Sequence, residues 1–129
     1  MNRARSFSLW TPVVLHMALI FGLSSIAYPP DVSDAGIENL DKYVHVLLYG
    51  ALSALFIRAR SGGWSQSITL GAAISAVIFA TAYGVTDEFH QLFVPPRQMD
   101  ALDLVADAVG AALAAALLYA GIIRSRHDP

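Results

Sequence analysis

Four apolar stretches, each near the length of a bilayer crossing, constrain this chain more than anything else in it. They are LWTPVVLHMALIFGLSSIAY (about 9–28), DKYVHVLLYGALSALFI (41–57), SITLGAAISAVIFATAYGVT (67–86) and ALDLVADAVGAALAAALLYAGII (101–123). A helix needs about 20 residues, within about 17–25, to cross the hydrocarbon core. The second stretch meets that length only when its polar head, Asp41-Lys42, is counted. Lipid supplies no hydrogen-bond partners, so a spanning segment must satisfy its backbone internally, as a helix does. The expected architecture is all-α: a polytopic membrane four-helix bundle, one domain over residues 1–129. The alternative is a soluble bundle with buried helices. A composition 56% hydrophobic and only 14% charged speaks against it.

Basic residues set the expected orientation. Arg3 and Arg5 precede span one, Arg58 and Arg60 separate spans two and three, and Arg124 and Arg126 follow span four. Four crossings put all three places on one side. The loop between spans one and two carries Asp31, Asp34 and Glu38 and no Lys or Arg. Both termini are therefore expected to be cytoplasmic, an N-in/C-in arrangement. Arg-Ala-Arg, an apolar run and Ser25-Ile26-Ala27 also resemble a cleavable signal peptide, although the run is long for one. Cleavage would leave the other spans oriented as before.

The connections are legible. Pro29-Pro30 stops span one. Ser61-Gly62-Gly63 predicts a tight turn. Pro95-Pro96 predicts a stiff, extended arm. Ala106, Gly110 and Ala114, four apart, give span four a small-residue face for close helix packing within the bundle or for a homo-oligomer.

The polar residues of the spans are not scattered. Asp41, His45 and Tyr49 share one face of span two. Tyr83, Asp87 and His90 share one face at the end of span three, flanked by Glu88 and Gln91. Asp103 and Asp107 open span four. With alternating directions, all three stripes fall in the outer half of the bilayer, and the inner half holds no such cluster. An ionisable group in a span costs about 2.5–3.5 kcal/mol on insertion scales, and normally faces a bundle interior or an aqueous cavity. His16, alone in span one, reads as a satisfied core histidine.

The candidate ligand-binding residues are Asp41, Lys42, Gln91, Arg97, Asp103 and Asp107. Arg97, at the end of the diproline arm, suits bidentate binding of a phosphate or carboxylate. Its alternative role is as partner to Asp100 or Asp103. The candidate catalytic residues are His90, His45, Glu88 and Asp87. Either histidine would serve as general base, oriented by Asp87 or Asp41, with Glu88 as acid. No nucleophile motif accompanies them, and Ser24, Ser25 and Thr86 carry no signature. The acids outnumber Lys42 and Arg97, so either some carboxyls are protonated or a cation binds. A divalent metal on oxygen ligands with His45 or His90 is one form of that cation, but no specific metal motif is present. Without cysteine, disulfides, thiol catalysis and cysteine metal sites are excluded. A net charge of −2 gives no footprint for nucleic acid.

Three pieces, DKYVHVLLYGAL (41–52), YGVTDEFHQLFVPPR (83–97) and DLVADAVGAALA (103–114), resemble the VanZ-like family of small bacterial membrane proteins. Two positions depart from the family pattern. Pro96 stands where Gly is usual, and Asp107 stands where Asn is usual. The resemblance implies a multi-pass inner-membrane protein. The family's name-giving member is associated with reduced susceptibility to teicoplanin-type glycopeptides. It implies membrane lipids as neighbours, and a lipid-linked cell-wall precursor or a glycopeptide as partner. Three functions compete on the residues: a cell-envelope factor that binds or modifies such a component, an acid–base enzyme acting on a lipid head group, and a structural polar plug. A proton-coupled transporter ranks below these, because the inner half offers no path.

Overall fold

Each apolar stretch forms one helix. The computed structural model describes residues 3–26 and 40–125, with side chains described as far as residue 121. The helices are α1 (Arg3–Ser24), α2 (Leu40–Ser61), α3 (Leu70–Gln91) and α4 (Ala101–Ser125). All four are long and apolar enough to cross a membrane. Pro29-Pro30, the acidic residues Asp31, Asp34 and Glu38, and Arg126 lie outside the described residues.

The helix limits differ from hydropathy in an instructive way. α2 has 22 residues, because polar residues at both ends stay helical. α3 begins at Leu70, where the Thr69 hydroxyl accepts the Ala72 N–H, rather than at Ser67. It continues through Asp87, Glu88 and Gln91, all three of them buried. Hydropathy marks such residues as a helix end, whereas here they turn into the bundle. α1 contains Pro12 and starts at Arg3, two turns before its apolar run.

α1 and α3 run toward the end of the bundle where α2 and α4 begin. Ser24, last in α1, bonds Asp87 near the end of α3, and Lys42 near the start of α2 bonds Asp103 near the start of α4. At the opposite end, the α2–α3 turn has Gly62 and Gly63 at φ 84° and 125°, a left-handed conformation that favours glycine. The Gly63 N–H reaches back to Arg58 O at 2.9 Å, and the Arg5 guanidinium donates to Gly62 O at 2.8 Å. One end of the bundle is basic and the other carries the carboxylates.

The α2–α4 contact is the most extensive in the bundle. A Cβ on Gly110 would overlap the Val46 carbonyl, and one on Gly50 would lie 3.1 Å from Gly110 O. The small-residue stripe of α4 is thus used for backbone-to-backbone approach. Leu9, Val13, Ile20, Tyr49, Leu52, Ala80 and Ala111 form one core cluster. Ile57, Ile68, Ala73, Ala76 and Ala115 form another toward the basic end. Outward, Leu15, Leu47, Ile78 and Leu117 are exposed. Four such helices with apolar outer faces make a multi-pass membrane protein.

Candidate functional site

The site grows from the cap of α4. Asp100 Oδ1 accepts the Leu102 N–H at 2.8 Å, and Asp100 O accepts the Asp103 N–H at 3.1 Å. That satisfies donors which a helix start leaves free. The Asp100 N–H in turn donates to Glu88 Oε2 at 2.8 Å, tying the start of α4 to the end of α3. The Lys42 ammonium, helped by the Leu102 N–H, holds the Asp100 carboxyl below the usual carboxylate range.

Lys42 is saturated. Its ammonium lies 2.5 Å from Asp100 Oδ2, 2.5 Å from Asp103 Oδ1 and 2.9 Å from Asp41 Oδ2. An ammonium has three N–H donors, and three carboxylates meet it. Lys42 therefore organises the start of α2 and α4 instead of standing ready for an incoming anion.

His45 is gripped from α4. Its Nδ1 lies 2.8 Å from Asp107 Oδ1, where the ring N–H donates, and its Nε2 faces Asp103 Oδ2 at 3.7 Å. The Tyr49 ring stacks with His45 at 6.1 Å between centroids, tilted by only 6°. Asp107 is fully buried, and its carboxylate packs directly on Gly84: a Cβ there would sit 2.5 Å from Oδ2. Among the described residues, Asp107 Oδ2 and the Tyr49 hydroxyl have no hydrogen-bond partner.

Glu88 and Gln91 are buried on α3. Gln91 Nε2 donates to Glu88 Oε1 at 3.1 Å, and Arg97 Nε donates to Gln91 Oε1 at 3.1 Å. Among the described residues Arg97 pairs with no carboxylate, so neither Asp100 nor Asp103 is its partner. The diproline does not form an extended arm. Arg97 N–H bonds Val94 O at 2.8 Å across a cis Pro95–Pro96 peptide, closing a turn that folds Arg97 back over the bundle.

Two expected pairings do not form. Asp41 meets Lys42 while His45 takes Asp107. Asp87 accepts the Ser24 hydroxyl at 2.6 Å, whereas His90 lies beside Ser25 Oγ at 3.1 Å and packs on the Phe21 ring. The structure thus gathers His45, Glu88, Asp103 and Asp107 in one place and leaves His90 on the α1 side. His16 bonds Leu48 O at 2.9 Å, the satisfied histidine expected from its isolation. His45, Glu88 and Asp103 each present one donor atom, all within 4.8 Å of one another.

A cleft of ≈ 290 Å³ separates α1 from α2 beside this cluster. Ile20, Leu23, Val44 and Leu48 form its apolar walls, and Ser24, Asp41, His45, Asp87 and Arg97 line its polar part. Sequence reasoning set Ser24 and Ser25 aside as nucleophiles, considered Asp100 only as a partner for Arg97, and missed Gly84. The level of the Ser24-Ser25 pair, at the end of α1 where the other polar stripes lie, was the available signal. Gly84 left none, because its role depends on which residue of α4 faces it.

The family model described as VanZ/LLP1 matches residues 3–124. No curated protein and no solved structure matches the chain.

Proposed function

The chain belongs to the VanZ/LLP1 family, and we propose that it binds an amphiphilic cell-envelope component bearing a phosphate or carboxylate. One observation carries this reading: an apolar cleft between α1 and α2 whose polar part holds Arg97, an arginine without a carboxylate partner among the described residues. Ligand pockets usually measure about 300–1,000 Å³. A cleft of ≈ 290 Å³ suits a head group and its first methylenes, with the remaining chain in lipid. Arg97 supplies the planar fork that anions favour, and Gln91 fixes it through Nε. Lys42, shared by three aspartates, takes no part in anion binding.

The basic end, with Arg5, Arg58 and Arg60, is assigned to the cytoplasm by the positive-inside rule. The site then faces outward across the bacterial cytoplasmic membrane, toward lipid-linked wall precursors. Teicoplanin susceptibility is the corresponding whole-cell phenotype.

A second reading is favoured by the His45–Asp107 pair: chemistry on the bound head group. A carboxylate on Nδ1 fixes the imidazole tautomer and orientation, as a general base requires. A long-chain monophosphate titrated into the purified protein tests the binding reading. Replacing Arg97 by Gln should weaken binding about 10–150-fold, the equivalent of about 1.5–3 kcal/mol for hydrogen bonds to a charged group. Equal affinity in wild type and R97Q would remove it. Turnover lost in H45Q with binding retained would establish the second reading.

A further inference from the structure

We propose that His45 Nε2, Asp103 Oδ2 and a Glu88 carboxylate oxygen bind one divalent transition-metal ion of the Zn²⁺ or Mn²⁺ type. The geometry comes first. One donor atom from each residue lies within 4.8 Å of the others, on three different helices. With metal–ligand bonds of about 2.0–2.2 Å, two ligands on one ion stand about 3–4 Å apart. The 3.7 Å between His45 Nε2 and Asp103 Oδ2 falls in that interval, and it is too long for a good hydrogen bond.

Each donor is also held from behind. Asp107 takes the Nδ1–H of His45, which leaves Nε2 with its lone pair facing Asp103. Lys42 takes the other oxygen of Asp103. Gln91 and the Asp100 N–H fix the two oxygens of Glu88. A carboxylate on the far nitrogen of a ligating histidine is the usual second layer of a metal site, setting tautomer and raising basicity. Imidazole with two carboxylates suits Zn²⁺ or Mn²⁺, whereas Mg²⁺ and Ca²⁺ prefer oxygen ligands alone.

Behind His45, Asp107 is fully buried with Oδ2 unpartnered among the described residues. It lies against Gly84, one turn of α3 before Glu88. Glu88 is itself fully buried, and Lys42, the ammonium near it among the described residues, is already shared by three aspartates. Buried carboxylates so placed call for a proton or a cation, and the gap between the His45 lone pair and Asp103 is wide enough for a metal ion to fill it. One divalent ion meets both conditions.

This inference stands on the same cluster as the proposed function but does not require an amphiphile. The test therefore uses the full chain in detergent, stripped with EDTA and with no lipid added. Zn²⁺ and Mn²⁺ are titrated calorimetrically, and bound metal is counted by mass spectrometry. The expected result is about one ion per chain, bound at least about 10-fold more tightly than Mg²⁺ or Ca²⁺. E88Q, D103N and H45Q should each lower affinity by about 100-fold or more. D107N, which keeps all three ligands, should lower it about 10–100-fold. H16Q should leave it unchanged. Co²⁺ loading of the unsubstituted protein gives a readout free of folding effects, since ligation by one nitrogen and two oxygens produces visible absorption bands. A stoichiometry below about 0.1, a Co²⁺ spectrum unchanged from that of the aqueous ion, or affinity indifferent to E88Q and D103N overturns the proposal. An imidazolium His45 in the metal-treated protein, carrying protons on both nitrogens by NMR, overturns it too. Either outcome leaves monophosphate binding at Arg97 to be decided separately.

Discussion

Replacing Gly84 by Ala pits helix propensity against the seating of the Asp107 carboxylate. In an open helix, Gly→Ala stabilises by about 0.8–1 kcal/mol. At Gly84 the new Cβ would lie 2.5 Å from Asp107 Oδ2, 3.2 Å from Cγ and 3.3 Å from Cβ. Restoring ordinary contact near 3.4 Å requires a shift of about 0.9 Å. Asp107 cannot swing away at low cost, because it is short, fully buried and held 2.8 Å from His45 Nδ1. A shift of that size stretches the His45 bond beyond hydrogen-bonding range. Overpacking costs about 1–3 kcal/mol, and a lost hydrogen bond to a charged group about 1.5–3 kcal/mol. The opposing terms leave G84A destabilised by about 1.5–5 kcal/mol. G22A is the matched control, since a Cβ on Gly22 meets nothing within 4 Å. Denaturant unfolding in detergent micelles, followed by circular dichroism, compares the two. G84A should unfold earlier than wild type and G22A no earlier. If G84A is as stable as G22A, Asp107 is not seated as described, and the site loses its geometric basis.

Four further outcomes follow from the same contacts. G110A should force α2 and α4 apart at Val46 and destabilise by about 3 kcal/mol or more, measured by the same unfolding assay. K42M leaves Asp41, Asp100 and Asp103 facing one another without their ammonium. It should cost about 3–5 kcal/mol, reduced by the partial exposure of Lys42 and rescued in part by D103N. The Asp100 carboxyl, held below its ordinary range by Lys42, contributes stability above the unfolded pKa and loses it as pH falls through the lower folded value. D100N should therefore flatten the acid limb of the stability–pH curve and leave its alkaline side unchanged in slope. Reporter fusions at either terminus should be active only as cytoplasmic markers, because Arg5, Arg58 and Arg60 cluster at that end.

The spans were legible because a bilayer crossing imposes a length that composition reveals. The level of the polar cluster was legible too, since alternating helix directions place Asp41, Glu88 and Asp103 at one end. What the residues could not show was partner choice. His45 and Asp41 are one turn apart and look paired, yet the rotation of α4 against α2 brings Asp107 to His45. That rotation depends on how closely Gly50 and Gly110 let two backbones approach. Glycine carries no polar signal, so its part in the site was hidden. At the end of α3, Glu88 and Gln91 were legible as members of the polar cluster, but their partners were not, because the Asp100 N–H and Arg97 arrive from the following loop. The diproline misled in the same way, because stiffness fixes a turn as readily as an extended arm.

The most direct measurement is an experimental structure of the full chain in nanodiscs of native bacterial lipid supplemented with a long-chain monophosphate. The account predicts elongated density between α1 and α2, along Ile20, Leu23 and Leu48, ending in a head group within hydrogen-bonding reach of the Arg97 guanidinium. A cleft filled by the protein's own side chains, or lipid density with no head group at Arg97, would contradict it.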